Sequence, residues 1–280
     1  MGYRCFDVDE SEGVAHIILS RPDELNTMVP EFWSELPQIV DEISDQGRAR
    51  VIVLSSTGRH FSAGMDLSVF TSGPVGSDPQ PSEVGRQRAS LRYNVLHLQR
   101  AFSSLEQARM PVLAAVQGGV VGGAVDLVTA ADCRYATADA WFCIQEINIA
   151  MTADVGTLQR LPKLIPDGIV RELAYTGRRM SAQRAAEVGL VNQVFDDHDA
   201  LLSGVHEVAA EIASKSPLAV HGTKQAVLYA RDHSVEESLR QIALWQTGMF
   251  QPGDMMEAFS AQTEQRPERF DDLGPLQRGL

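Results

Sequence analysis

Three acids sit where acids are costly. Asp126 lies among Ala124, Val125, Leu127 and Val128; Glu146 follows Trp141-Phe-Cys-Ile144; Asp154 lies in Met151-Thr-Ala-Asp-Val-Gly156. A carboxylate placed among apolar residues must be paired or have its ionisation perturbed. A carboxyl held close to neutrality in its pKa can take or give a proton near pH 7. Each acid alone also suits a helix cap or a solvated loop, as Asp132 and Asp139 do. The seven histidines (16, 60, 97, 198, 206, 221 and 233) show no metal-ligand spacing, and neither do Cys5, Cys133 and Cys143. They read as structural or exposed residues, with His60 an exception by its position, and as free thiols, and no metal site is expected.

Two glycine-rich segments offer the other half of a reaction site. Gly58-Arg-His-Phe-Ser-Ala-Gly-Met-Asp-Leu67 follows an apolar run and places small residues where a ligand can approach the backbone. Gln117-Gly-Gly-Val-Val-Gly-Gly-Ala-Val-Asp126 brings Gly122 and Gly123 to the start of a helix. Bare N–H groups at a helix start attract negative charge, and two converging donors can hold an oxyanion. The second segment is neither G-x-G-x-x-G nor G-x-S-x-G, so it indicates neither a dinucleotide nor a serine nucleophile. Each segment alone is also compatible with a plain strand-to-helix turn.

The elements that must position these groups follow from periodicity. Val14–Leu19, Arg50–Leu54 and Pro111–Val116 are short apolar runs and predict strands. Phe32–Ile43 and Ser90–Leu105 place apolar residues at helical spacing, and a helix begins at about Gly122. Asp132–Ala136, Ala140–Cys143 and Leu190–Phe195 predict further strands, with a Ser-capped helix over 181–188. Thr71–Ser82, rich in Ser, Gly and Pro, predicts a loop. Beyond Asp196 no strand signal remains: 201–214, 221–231 and 234–249 all read as helices. The predicted division is therefore an α/β part over 1–197 and a helical part over 198–280. The apolar stripe of the second part, with Leu239, Ile242, Leu244, Trp245 and Phe250, must be buried against the chain's own core or a second subunit.

Composition narrows the partners. The 280 residues are 44% hydrophobic and 22% charged, with 37 acidic against 24 basic residues and a formal charge of −13. Only Lys163, Lys215 and Lys224 are lysines. That balance disfavours nucleic acid and anionic membranes as partners. An anionic ligand would have to rely on backbone N–H groups and a few arginines. No run reaches the ~18 uninterrupted apolar residues of a membrane span. The acidic N-terminal stretch lacks the basic-then-apolar order of a signal peptide, so a cytoplasmic protein is expected.

Taken in order, the segments resemble the enoyl-CoA hydratase/isomerase (crotonase) superfamily over nearly the whole chain. The matching pieces are Leu19-Ser-Arg-Pro22 with Asn26, His60–Leu67, Gln117-Gly-Gly with Gly122-Gly123, Gln159-Arg-Leu-Pro162, Thr176-Gly177 and Ala186–Val191. Gly122–Ala130, Ala153–Pro162 and Tyr229–Val235 are similar to dienoyl-CoA isomerases. The resemblance implies an α/β spiral of ββα units with a helical C-terminal trimerisation region. It also implies a homotrimer or homohexamer acting on an acyl-CoA thioester, as in β-oxidation of fatty acids, with no separate cofactor. It carries the oxyanion hole to the backbone N–H groups of Met65 and Gly123, and the acids to Asp126, Glu146 and Asp154. CoA and substrate contacts carry over to Asp23, Glu24, Leu25, Ala63, Gly64, Met65, Asp66, Leu67 and Gly122. The implied reaction turns a 3,5-dienoyl-CoA into a 2,4-dienoyl-CoA. Hydratases usually have glycine near the third acid, so Asp154 separates this reading from its alternative, a 2-enoyl-CoA hydratase. A non-catalytic acyl-CoA- or RNA-binding relative is the third reading. Gln145, where lysine is more familiar, and 147–152 depart from the isomerase pattern and bear on the acyl group accepted.

Overall fold

The computed structural model describes residues 2–66, 69, 83–250 and 252–277. Leu67 and the expected loop over 71–82 lie outside the described residues.

Among the described residues, nine strands form two sheets. They are β1 (Phe6–Ser11), β2 (Val14–Leu19), β3 (Val51–Ser56), β4 (Val112–Val116), β5 (Gly119–Val121), β6 (Cys133–Thr137), β7 (Trp141–Cys143), β8 (Met180–Ser181) and β9 (Gln193–Phe195). The larger sheet runs β1-β2-β3-β4-β6-β9 and is parallel except for the β1–β2 hairpin. The smaller runs β5-β7-β8, with β5 and β7 parallel. A bridge from Ser62 to Val120 lays the segment after β3 against β5. Each turn of the spiral thus passes from a long-sheet strand to a short-sheet segment and then to a helix.

The helices are α1 (Pro30–Gln46), α2 (Val84–Gln107), α3 (Gly123–Thr129), α4 (Thr157–Arg160), α5 (Asp167–Thr176), α6 (Ala182–Glu187), α7 (His198–Ala213), α8 (Pro217–Asp232), α9 (Val235–Met249) and α10 (Pro252–Glu264). The continuous apolar strands are explained by cover on both faces. Ile52, Leu54, Val112 and Ala114 face Phe32, Leu36, Phe102 and Leu105 of α1 and α2. Val51, Val53, Leu113 and Tyr135 face Leu201, Val205 and Ala209 of α7.

Several expected bounds shift. α1 starts at Pro30, whose missing N–H costs nothing in the first turn, and α2 begins six residues before Ser90. β1 escaped the periodicity reading because five of its six residues are exposed on the sheet edge, with no apolar alternation to mark them. β5, β8, α5 and α10 were also not anticipated. Beyond residue 197 every described element is a helix, yet α7 buries one face, Leu201, Val205, Ala209 and Ala213, in the sheet's core, which therefore extends past the expected division. α8 is tied inward by Lys224, buried against Asp132 and donating to the Leu105 and Met110 carbonyls. Trp245 of α9 lies over Gly222 and edge-on to His221 of α8. The strand-free segment after α10 returns to the core: Arg50 binds Asp272 and the Phe270 carbonyl, and Arg109 binds the Gly274 carbonyl.

Candidate active site

The two glycine-rich segments meet. Buried Asn26 organises the first: its amide donates to the Thr57 and His60 carbonyls, and its Oδ1 accepts the Arg21 N–H. This holds Leu25 and Asn26 in left-handed backbone, just after the helical turn Pro22–Glu24. The Leu25 carbonyl accepts the Ala63 N–H at 3.0 Å, and the Met28 N–H donates to Gly64 at 2.8 Å. Thr27 Oγ1 donates to Asp66 at 2.9 Å. Leu25, Thr27 and Met28 are thereby laid alongside Ala63, Gly64, Met65 and Asp66, with Asp23 and Glu24 in the turn just before.

Met65 forms a parallel bridge with Met28 in which Met28 bonds the residues on either side of it. The Met65 N–H therefore points away from Met28. Gly64 has φ +84°, and a Cβ there would stand 2.5 Å from the Val121 carbonyl and 3.4 Å from the Gly123 nitrogen. Gly123 opens α3, so its N–H has no acceptor within the helix. The two expected oxyanion donors thus lie on neighbouring, closely packed segments.

The acids gather around the start of α3. Gly122, at φ +54°, is the position where a side chain would crowd Glu146: an added Cβ would be 3.0 Å from its Oε1. Glu146 arrives there because β7 is registered against β5, Cys143 beside Val121, and a helical turn over Glu146–Ile149 follows. Asp126, one turn into α3, is fully buried, and its Oδ1 accepts the Thr157 N–H at 2.5 Å. That contact ties α3 to the turn bearing Asp154, whose carbonyl accepts Gln99 Nε2 of α2 at 2.7 Å. Asp126 Oδ2 and Glu146 Oε2 are buried without a hydrogen bond from the protein.

Burial dominates the electrostatics. It pushes Asp126 up to about 6, against the Thr157 N–H that favours the ionised form; the Asp154 charge adds to the rise. Glu146 is pushed up to about 7, first by burial and then by the charges of Asp126 and Asp154. Asp154 reaches solvent, yet its crowded surroundings raise it too. The charges of Asp126 and Asp154 raise Glu146, and that of Asp154 raises Asp126, so the ionisation of each buried acid depends on its neighbours.

Sequence reasoning assigned no role to Met28, Gln99, Thr157 or Arg160. Arg160 lies in the quoted Gln159-Arg-Leu-Pro162 motif and Thr157 follows Gly156 at a helix start; Met28 and Gln99 have no local signal. His60 serves the fold: its Nδ1 accepts the Gly119 N–H at 2.9 Å.

This spiral is the crotonase fold, and it superposes with TM-score 0.85 on an enoyl-CoA hydratase from Bacillus anthracis. That protein is 30% identical, over 95% of this chain and 99% of its own. The chain belongs to the enoyl-CoA hydratase/isomerase family, which matches residues 9–273. It is 44% identical to the mitochondrial Delta(3,5)-Delta(2,4)-dienoyl-CoA isomerase of Pongo abelii, over 90% of this chain and 77% of that one. It is 41% identical to the peroxisomal enzyme of the same name from Arabidopsis thaliana, over 93% of both.

Proposed function

We propose that this protein isomerises 3,5-dienoyl-CoA to 2,4-dienoyl-CoA. The observation that carries the reading is a third acid, Asp154, on a turn joined through Thr157 to Asp126 and coupled to Glu146. In this mechanism the thioester carbonyl accepts the N–H groups of Met65 and Gly123, each such donor being worth ~3–4 kcal/mol. Polarisation acidifies C2. Glu146, as carboxylate, takes the C2 proton, and the electron pair spreads through the dienolate to C6. Asp154, in its protonated form, delivers a proton to C6. Asp126 orients a water or tunes its neighbours. The pKa of Glu146, near 7, suits proton exchange near neutral pH, and burial raises Asp154 in the same direction. No step calls for a metal or a redox cofactor.

The CoA moiety would lie along Asp23–Leu25 and Ala63–Leu67, with Gly122 beside the acyl group. The proposed assembly is a trimer or a pair of trimers, and the proposed compartment is the cytoplasm, where Cys5, Cys133 and Cys143 would remain thiols. The two dienoyl-CoA isomerases compared carry mitochondrial and peroxisomal in their names. Among the described residues no helix is long and apolar enough to cross a membrane.

The test is turnover of 3,5-dienoyl-CoA and 2-enoyl-CoA side by side, followed by conjugated-dienoyl absorbance and by hydration. Asp154→Asn should lower isomerisation by at least ~100-fold, within the range for a proton-transfer group, while CoA still binds. Unchanged isomerisation in this variant removes Asp154 from the mechanism; hydration alone in the unaltered protein overturns the whole reading.

A further inference from the structure

The Gln159-Arg160 motif lies outside the proposed chemistry, yet Arg160 reaches the turn that carries it. Its guanidinium binds Glu106 of α2 through Nε at 2.9 Å and Nη2 at 2.8 Å, and Nη2 also donates to Ser103 Oγ at 3.0 Å. Arg231 of α8 binds the other oxygen of the same carboxylate. Arg160 and Glu106 are largely buried, with 11% and 15% of their side chains exposed. The far side of the guanidinium lies across Gly156, where any Cβ would collide with Nη1, and Nη1 approaches the Val155 carbonyl at 3.4 Å. Gly156 has φ +140°, so both the space and the backbone conformation require glycine.

Behind this turn is a cavity of about 320 Å³, lined by Gln99, Ser103, Val155, Gly156, Arg160 and Arg231 among others. On its other face the turn is packed into the core through Ala153 and Val155, but on the cavity side it faces open space. Its hold on this side comes from the polar contacts of Arg160 and from Gln99 on the Asp154 carbonyl. The same short turn projects the Asp154 carboxyl and presents the Thr157 N–H to Asp126.

We propose that Arg160, clamped by Glu106, is a positioning residue for proton transfer: it sets the turn that carries one acid and hydrogen-bonds a second. The proposal rests on the isomerase reading above. Arg160 acts at a distance from the substrate, and the CoA-binding segments lie on other elements, so its loss should act on turnover and not on affinity.

The experiment uses the full chain with Arg160→Ala, Arg160→Lys and Glu106→Gln. Each is measured for kcat and KM on 3,5-dienoyl-CoA, thermal unfolding, and amide exchange over Val155–Thr157. Misplacing a catalytic group by about 1 Å costs up to ~100-fold, so Arg160→Ala should lose ~10- to 100-fold in kcat with KM little changed. Arg160→Lys should retain part of the rate. Guanidinium at sub-denaturing concentration, which the adjoining cavity can admit, should restore part of the Arg160→Ala rate and leave the unaltered enzyme unaffected. Exchange over Val155–Thr157 should quicken in Arg160→Ala and Glu106→Gln. If Arg160→Ala does not fold, Arg160→Lys and Glu106→Gln decide by the same readouts. Full kcat in folded variants overturns the proposal, as does a loss confined to KM, or a loss rescued by neither lysine nor guanidinium. An unaltered protein inactive on 3,5-dienoyl-CoA would instead defeat the isomerase reading; unchanged exchange over the turn would then defeat the latch as well.

Discussion

At the scale of single residues, each acid is set by what surrounds it. Asp126 lies second only to burial among the causes that raise Glu146. Removing that charge in Asp126→Asn should move the acid limb of the kcat/KM profile, expected near pH 7 for Glu146, to lower pH; pH–rate profiles of residual turnover will show it. The same burial opposes stability. Because Glu146 is raised from 4.5 to about 7, the folded protein binds that proton more tightly than the unfolded chain. Stability therefore falls as pH rises between these values and is flat above them. Glu146→Gln should relieve the penalty, on the order of 1–3 kcal/mol. Thermal unfolding should show Tm raised at about pH 8 and the gain gone at about pH 4, while turnover is lost.

At the scale of elements, the site is a junction between the start of α3, the bridge segment after β3 and the turn before α4. Glycine makes the junction possible at two places, Gly64 and Gly122, where the backbone is left-handed and the neighbour is a carbonyl or a carboxylate. Gly64→Ala adds a Cβ against the Val121 carbonyl in a backbone conformation unfavourable to it, a cost of ~1–3 kcal/mol. Relief by moving Met65 away from Gly123 would separate the two N–H donors. Denaturant unfolding should register the destabilisation, and turnover should fall by ~100-fold or more, the loss expected when one oxyanion donor is misplaced.

At the scale of the whole molecule, the apolar stripes of the C-terminal helices have different fates. α7 buries Leu201, Val205 and Ala209 completely within its own chain. On α9, Val235, Leu239 and Leu244 remain 78%, 63% and 69% exposed. Phe250 and Phe259 are exposed as well, and the proposed trimer would draw on these uncovered apolar side chains. Leu239→Glu combined with Leu244→Glu should convert the oligomer to monomers in sedimentation analysis; an unaltered protein that sediments as a monomer would remove the trimer.

The residue types and their order along the chain already specified much of the strand and helix sequence around the site, though not β5 or α4, and pointed to both glycine-rich segments and the three candidate acids. These are local signals: apolar spacing, helix starts, and acids among apolar neighbours. The exposed edge strand β1 carries no such signal and was not legible. Tertiary structure alone decided that Thr157, 31 residues from Asp126, donates its N–H to Asp126 Oδ1. It alone placed Arg160 behind the Asp154 turn and separated the buried stripe of α7 from the exposed one of α9. The reason is physical. Helical periodicity says that a face must be covered, not by what, and a carboxyl's proton affinity depends on desolvation and neighbouring charge, which arise only when distant segments pack together.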